Sequence, residues 1–277
     1  MPELPEVETT CRGLIPLLQG RIFTKVTLRR DSLRYPLPAF FAERLQGKQI
    51  NSLSRRAKYI LITLKDDPAV LIIHLGMSGR LRIDPVKDFQ PQKHDHVIFT
   101  TDYDNNISYN DARRFGMMDL IPSSALPTHS LFKNLGFEPF DPLLTGNIFL
   151  HKLSNRQQSI KQTLLDQQVI VGIGNIYANE SLWESQINPL RPAHTLSLAE
   201  CKVLLKQIRL ILHKAIETGG STLRDYQHPN GQLGSFQKQF QVYNRALNPC
   251  QRFACKGVIL KSFQGGRSTY FCESCQI

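Results

Sequence analysis

Three observations predict an α+β protein built in successive stretches. Residues up to about 125 carry short β-branched and aromatic runs broken by Gly, Asp and Pro. Beyond a proline-punctuated stretch, apolar residues recur at helical spacing. Finally, Cys250, Cys255, Cys272 and Cys275 crowd the last segment. The expected architecture is an N-terminal β-sandwich (1–125) flanked by an N-terminal helix, a connector (126–150), a helical domain (151–240) and a small hairpin module organised by cysteines (241–277).

In chain order, Pro5 reads as a first-turn proline, and Glu6 and Glu8 suit the positive end of a helix dipole. Val7, Cys11 and Leu14 then form one apolar stripe, which makes Cys11 a core residue rather than a reactive one. Strands are expected at 22–28, 59–64, 69–75, 96–100, 107–109 and 117–121. A helix is expected at 175–186, with turns over 188–195 where two prolines stand. Ser197 and Glu200 have the spacing of a capping box, opening a stripe of Leu204, Ile208, Ile211 and Ala215 that ends at Gly219-Gly220. Residues 258–263 and 268–271 form a β-hairpin signature around Gln264-Gly265-Gly266-Arg267.

Several residue sets bear on chemistry. Loss of Met1, which a small second residue permits, would leave the secondary amine of Pro2 beside the Glu3 carboxylate. A terminal amine titrates near pKa ~8, well below lysine, so it can attack an electrophilic carbon without a general base. The iminium it forms has no N–H proton to lose and persists as an electron sink. The alternative is that Pro2 and Pro5 only stiffen the start of a helix, and both roles can hold together. Two cysteine pairs separated by 16 residues, in a segment too small for a core, are what a tetrahedral thiolate zinc site requires; an unmetallated finger is the alternative. Gly172-Ile173-Gly174-Asn175 places small residues and an amide at a helix start, where backbone N–H groups can hold a phosphate, but the pattern is a poor dinucleotide fingerprint. Adjacent histidines in Lys93-His94-Asp95-His96 make only a weak metal site.

With 34 Lys+Arg against 23 Asp+Glu the chain carries a formal charge of +11, which favours a polyanionic partner, whether nucleic acid or an anionic membrane. No run of eighteen apolar residues and no signal-like start is visible, so a soluble, cytoplasmic protein is expected.

PELPEVET at 2–9, RRAKY at 55–59, HLGMSG at 74–79, KHDH at 93–96, RRFG at 113–116, GIGNIYANE at 172–180 and the four-cysteine module together resemble the bacterial formamidopyrimidine-DNA glycosylase family. The motifs run in order over essentially the whole chain, which makes the set specific where any single string would be weak. Two positions depart from the family pattern: the first cysteine pair is Cys-x4-Cys where Cys-x2-Cys is usual, and Ala112 stands where proline is common.

The resemblance implies a helix-two-turn-helix DNA-binding element in the helical domain and a C-terminal zinc finger holding one structural Zn2+. It implies a monomer acting on double-stranded DNA with oxidised bases, as a bifunctional glycosylase and AP lyase. Pro2 would be the nucleophile, Glu3 the acid, and Lys58 and Arg267 would support the eliminations. His74, His94, Arg113, Arg156 and Asn175 would contact DNA. Met77, Arg113 and Phe115 would fill the void left by an extruded nucleotide. Read without the resemblance, Lys58 is a strand-end charge, His74 a core histidine, Arg267 a solvated turn residue, and Met77 and Phe115 core or loop anchors.

The nearest rival is an endonuclease VIII-type relative acting on oxidised pyrimidines. Leu4, where that group tends to carry glycine, and the segment 221–237, which resembles a purine-lesion loop, stand against it. A non-catalytic zinc-dependent DNA-binding protein is the rival from another class, and intact Pro2 and Glu3 stand against that.

Overall fold

The computed structural model describes residues 2–222, 229 and 231–277. They fall into two compact units, one comprising 1–133 with 218–237, the other 134–217 with 238–277.

The first unit opens with α1 (Leu4–Leu18). Its cap is built from two carboxylates instead of a hydroxyl. The Glu3 side chain accepts the Glu6 N–H, and Glu6 Oε2 accepts the Glu3 N–H at 2.8 Å, so orphan donors of the first turn are satisfied reciprocally. Val7, Cys11, Leu14 and Leu18 are buried along one face and join the unit's core. Burial pushes the Cys11 thiol up to about 11, consistent with an inert packing role.

Two antiparallel four-stranded sheets follow. One has the order β1 (Phe23–Leu28), β6 (Asp95–Thr101), β7 (Asn105–Asn110), β5 (Arg80–Pro85). The other has the order β2 (Ile50–Arg56), β3 (Tyr59–Leu64), β4 (Asp67–His74), β8 (Met117–Pro122). A short helix, α2 (Phe41–Leu45), lies between β1 and β2 in the chain. Phe23, Phe99, Ile107 and Tyr109 from the first sheet share a core with Ile60, Ile62, Leu71, Ile73 and Leu120 from the second, which makes the sandwich. In β4, residues 69–73 are buried without a break, so this inner strand reads as a continuous apolar run.

The strands expected at 22–28, 59–64, 69–75, 96–100, 107–109 and 117–121 correspond to β1, β3, β4, β6, β7 and β8. Sequence periodicity missed β2 and β5. Both are edge strands: β2 buries only Ile50 and Leu53, and β5 only Leu81. With so much of each strand in contact with solvent, charged residues replace the β-branched signal. In β5 the charges are themselves structural, since Arg82 bridges Asp84 at 2.7 Å and Asp95 at 3.0 Å.

The second unit contains α3 (Gly146–Leu153), α4 (Ile160–Leu165), α5 (Asn175–Glu184) and α6 (Leu198–Glu217), followed by the hairpin β9 (Ile259–Gln264) and β10 (Arg267–Cys272). The capping box before α6 is present: Ser197 Oγ accepts the Glu200 N–H at 3.3 Å, and Glu200 Oε2 accepts the Ser197 N–H at 2.8 Å. Arg191, with a nitrogen 2.6 Å from Glu200, holds that carboxyl down at about 2. The hairpin turns on Gly265 and Gly266, both left-handed at φ +54° and +73°, a conformation that explains glycine at both positions.

The hairpin and the segment leading to it are fastened to α5 by buried polar groups. Asn179 Oδ1 accepts the Tyr270 N–H at 2.7 Å. Glu180, almost fully buried, accepts three successive backbone N–H groups from Gln241, Val242 and Tyr243 at 2.8–3.1 Å. Burial raises the Glu180 carboxyl above its ordinary range even against these three donors.

Glu180→Gln replaces one accepting oxygen by an NH2 group that cannot accept. Chemical unfolding should show a loss of about 1–3 kcal/mol, with the hairpin losing hydrogen-exchange protection before the sandwich does.

Candidate active site

In the first unit, the N-terminal residues sit in a dense cage. Pro2 and Glu3 are buried. Glu6 reaches in two directions: one oxygen accepts the Glu3 N–H, and the other accepts the Ser221 N–H at 2.7 Å. Gly220, left-handed at φ +76°, lies so close that a Cβ there would come within 2.9 Å of Glu6 Oε1. Of the segment 221–237, residues 223–228 and 230 lie outside the described residues.

Lys58 occupies the two-residue turn between β2 and β3, where Arg56 and Tyr59 pair and Ala57 adopts φ +53°. The turn is held from α1: Glu8 pairs with Arg12 at 2.7 Å and Arg55 at 2.8 Å, and Arg55 donates to the Ala57 carbonyl at 2.9 Å. Burial alone would raise the Glu8 carboxyl, but the bonds and charges of the two arginines outweigh it and hold it below the usual range. The helix that Glu3 caps therefore also fixes the backbone beside Lys58. Lys58 itself is buried.

His74 ends β4. Burial, then the positive charges of Lys58 and Arg34, push it down to about 4, so its ring is neutral at pH 7; Asp111 acts weakly the other way. Its Nδ1 accepts the Gly76 N–H at 3.0 Å, which puts the remaining proton on Nε2. His74 is thus a neutral donor.

The loops 74–79 and 113–116 touch backbone to backbone. A Cβ on Gly76 would fall 2.4 Å from Gly116 N, and one on Gly116 would fall 1.6 Å from the Tyr109 hydroxyl oxygen. Leu33, Arg34, His74, Met77, Arg113, Arg114 and Phe115 line an open cleft of about 650 Å³ at this junction. Met77 and Phe115 are 37% and 45% exposed, so neither is a core anchor. The Arg113 guanidinium lies 4.7 Å from the centre of the Phe115 ring. Arg114 is held at φ +56°. His94 is half-buried, 6.3 Å from the His96 ring, and His96 is engaged with the Asp111 carbonyl at 2.8 Å. Among the described residues the only cluster of three or more potential metal-binding side chains is the cysteine quartet.

In the second unit, Arg267 is exposed at the start of β10. Its neighbour Ser268 offers a carbonyl to Asn175 Nδ2 at 2.9 Å and to Lys161 Nζ at 2.8 Å, and Lys161 also donates to Thr269 Oγ1 at 2.8 Å. The fully buried Lys161 gave no sequence signal, because one lysine in a short helix is indistinguishable from a solvated charge. Arg156 is paired with Asp166 at 2.9 Å, a partner that sequence reading also missed.

The four cysteine sulfurs lie within 4.8 Å of one another, so the wide Cys250–Cys255 spacing still closes the cluster. Cys250 and Cys275 are 3.8 Å apart, and Cys255 and Cys272 3.7 Å. Sulfurs bound at about 2.3 Å to one tetrahedral ion would stand about 3.8 Å apart. Trp183 Nε1–H and the Gly257 N–H point at Cys250 and Cys255 sulfurs, each at 3.4 Å, as donors to thiolates do. The quartet fits a metal ion.

Residues 1–118 match the formamidopyrimidine-DNA glycosylase N-terminal domain, and residues 135–227 match the formamidopyrimidine-DNA glycosylase H2TH domain. The chain belongs to the formamidopyrimidine-DNA glycosylase family. It is 46% identical to the formamidopyrimidine-DNA glycosylase of Beijerinckia indica and 44% identical to that of Roseobacter denitrificans, in each case over all of both chains. Among solved structures it is similar to a Lactococcus lactis Fpg mutant bound to DNA containing Fapy-dG, with a TM-score of 0.90, 34% identity and 99% of each chain covered. It is also similar to the MutM (Fpg) protein of Thermus thermophilus, with a TM-score of 0.88, 34% identity, and 99% and 98% of the two chains covered. An abasic-site DNA complex of the L. lactis protein matches at a TM-score of 0.89, with 34% identity and 99% of each chain covered. No helix among the described residues is long and apolar enough to cross a membrane.

The depressed His74 has a consequence for stability. The unfolded chain takes up a proton near pH 6.5 that the folded protein accepts only near 4, so stability is lost as pH falls through that window. Denaturant unfolding at pH 7 and pH 5 should show about 2 kcal/mol more acid loss in the parent than in His74→Gln.

Native mass spectrometry should find about one metal ion per chain. Cys272→Ser should lose it without changing the unfolding of the sandwich, because the ion organises only the hairpin module.

Proposed function

We propose that this protein is a bifunctional DNA glycosylase and AP lyase that removes oxidised purines, 8-oxoguanine and formamidopyrimidines, from duplex DNA. The observation that carries the reading is the buried start of the chain, where Pro2 adjoins a Glu3 carboxylate fixed by its bond to the Glu6 N–H. Family membership and the relatives' DNA complexes, one with Fapy-dG and one with an abasic site, support it.

With Met1 removed, the Pro2 nitrogen attacks C1′ of the extruded nucleotide, and the bond from C1′ to the base breaks. Glu3 protonates the ring oxygen, opening the sugar to an iminium on Pro2. The iminium withdraws electrons, so the C2′ proton is lost and the 3′-phosphate leaves by β-elimination; a second elimination then expels the 5′-phosphate. Lys58 and Arg267 support these steps as cations near the phosphates, since a guanidinium is a poor proton donor.

His74, His94, Arg156 and Asn175 are contact residues for the DNA backbone, with His74 donating through Nε2 as a neutral group. Met77 and Phe115 wedge into the stack while Arg113 faces the orphaned cytosine. Cys250, Cys255, Cys272 and Cys275 hold Zn2+, which supplies no chemistry beyond shaping the hairpin that carries Arg267.

Borohydride trapping on an 8-oxoguanine:cytosine duplex tests nucleophile, lesion and lyase steps together. The parent should be trapped, and a variant that retains Met1 should bind DNA but not be trapped. Glu3→Gln should slow base excision by roughly 10²–10⁴-fold with little change in DNA affinity. Full trapping of a chain shown by mass spectrometry to keep Met1 would move the nucleophile to a lysine.

A further inference from the structure

Asp111 stands just beyond β7 and is completely buried, yet the catalytic scheme above does not use it. Its carboxylate accepts the Ser78 hydroxyl at 2.5 Å through Oδ1 and the Gly116 N–H at 2.8 Å through Oδ2, with the Tyr109 hydroxyl a longer donor at 3.4 Å. Its carbonyl accepts from the Arg114 N–H at 3.3 Å and pairs with His96 Nε2 at 2.8 Å, while its own N–H donates to the His94 carbonyl at 3.1 Å. Ser78 Oγ in turn accepts the Arg113 N–H at 3.1 Å.

These bonds have a common geometry. Ser78 follows Met77 directly, while Arg113, Arg114 and Gly116 frame Phe115. The backbone N–H groups at 113, 114 and 116 therefore donate to Asp111 or to the serine it holds. The loops lie in backbone contact across Gly76 and Gly116, where no Cβ fits. Met77, Arg113 and Phe115 project from loops that cannot shift separately while the carboxylate is in place.

We infer that Asp111 is a positioning residue that locks Met77, Arg113 and Phe115 into one unit, so that wedge insertion and reading of the opposite base occur as a single event. The inference rests on the proposed glycosylase function and gives Asp111 no contact with DNA. A carboxylate suits the task because it accepts on both oxygens at once. An amide accepts on one oxygen only, so Asp111→Asn cannot accept from Ser78 and Gly116 together: with its oxygen on the Gly116 N–H, its NH2 faces Ser78 Oγ and the serine hydroxyl loses its acceptor. Such loosening costs rate only where the wedge must be in register, since small misplacements of positioning groups are enough to cost roughly 10²-fold.

The experiment compares parent, Asp111→Asn and Ser78→Ala on two substrates. Trapping on a single-stranded oligonucleotide with a preformed abasic site needs no nucleotide extrusion and no opposite base. Excision of 8-oxoguanine from a duplex needs both. Asp111→Asn should keep single-strand trapping within about twofold but lose roughly 10–100-fold in duplex excision, with a reduced preference for cytosine over adenine opposite the lesion. A 2-aminopurine beside the lesion should report slower unstacking. Ser78→Ala should change the same quantities in the same direction by less, and the double variant should be no worse than Asp111→Asn alone, as expected of groups acting through one bond.

An Asp111→Asn protein with parental duplex excision and opposite-base preference overturns the inference. So does a parallel fall on both substrates, which marks a merely structural residue; if Asp111→Asn fails to fold, Ser78→Ala applies the same comparison. Failure of the parent itself to be trapped on the abasic strand would instead sink the proposed function.

Discussion

Irregular backbone can be buried only where its N–H groups find acceptors, and this chain meets that constraint with buried carboxylates. Glu3 and Glu6 close the start of α1 and fix Ser221. Asp111 gathers the loops that carry Met77, Arg113 and Phe115. Glu180 gathers three N–H groups ahead of the hairpin module. Each accepts backbone N–H groups that no helix or sheet ladder pairs. A hydroxyl or amide would supply too few acceptor sites in so small a space.

The charge distribution follows the same logic. A protein with a formal charge of +11 has cations to spare, yet several of them are individually held in each unit. Arg55 is bound to Glu8 and to the turn that presents Lys58, Lys161 is sunk beneath the strand that begins at Arg267, and Arg156 is paired with Asp166. His74 contributes no charge at neutral pH, because burial and the neighbouring Lys58 and Arg34 hold it neutral. Directed donors and diffuse charge are thus separate properties of this surface: the held groups give geometry, and the exposed lysines and arginines give long-range attraction to a polyanion.

Much of the candidate chemistry was legible because it is encoded locally. Pro2 beside Glu3, the quartet of cysteines and the Ser197–Glu200 capping box are defined by chemical type and short spacing, and periodicity carried the inner strands and the long helix α6. The edge strands β2 and β5 were not legible, because partial exposure to solvent removes the apolar signal. Asp111, Glu6, Glu8, Lys161 and Glu180 were not legible as positioning groups either. A lone acidic or basic residue reads as a solvated charge until its burial is known, and burial depends on contacts between distant segments.

The sequence by itself therefore determined the class of chain, its family and the four-cysteine set that can hold a metal ion, since all of these rest on residue chemistry or on ordered short motifs. Only the tertiary structure decided which charges are buried, that His74 is neutral with its proton on Nε2, that the loops of Met77 and Phe115 share one carboxylate, and that Cys-x4-Cys still closes to sulfur separations of 3.7 and 3.8 Å. The reason is physical: desolvation and hydrogen-bond satisfaction are set by what the fold packs around a group, and that packing joins residues far apart in the chain.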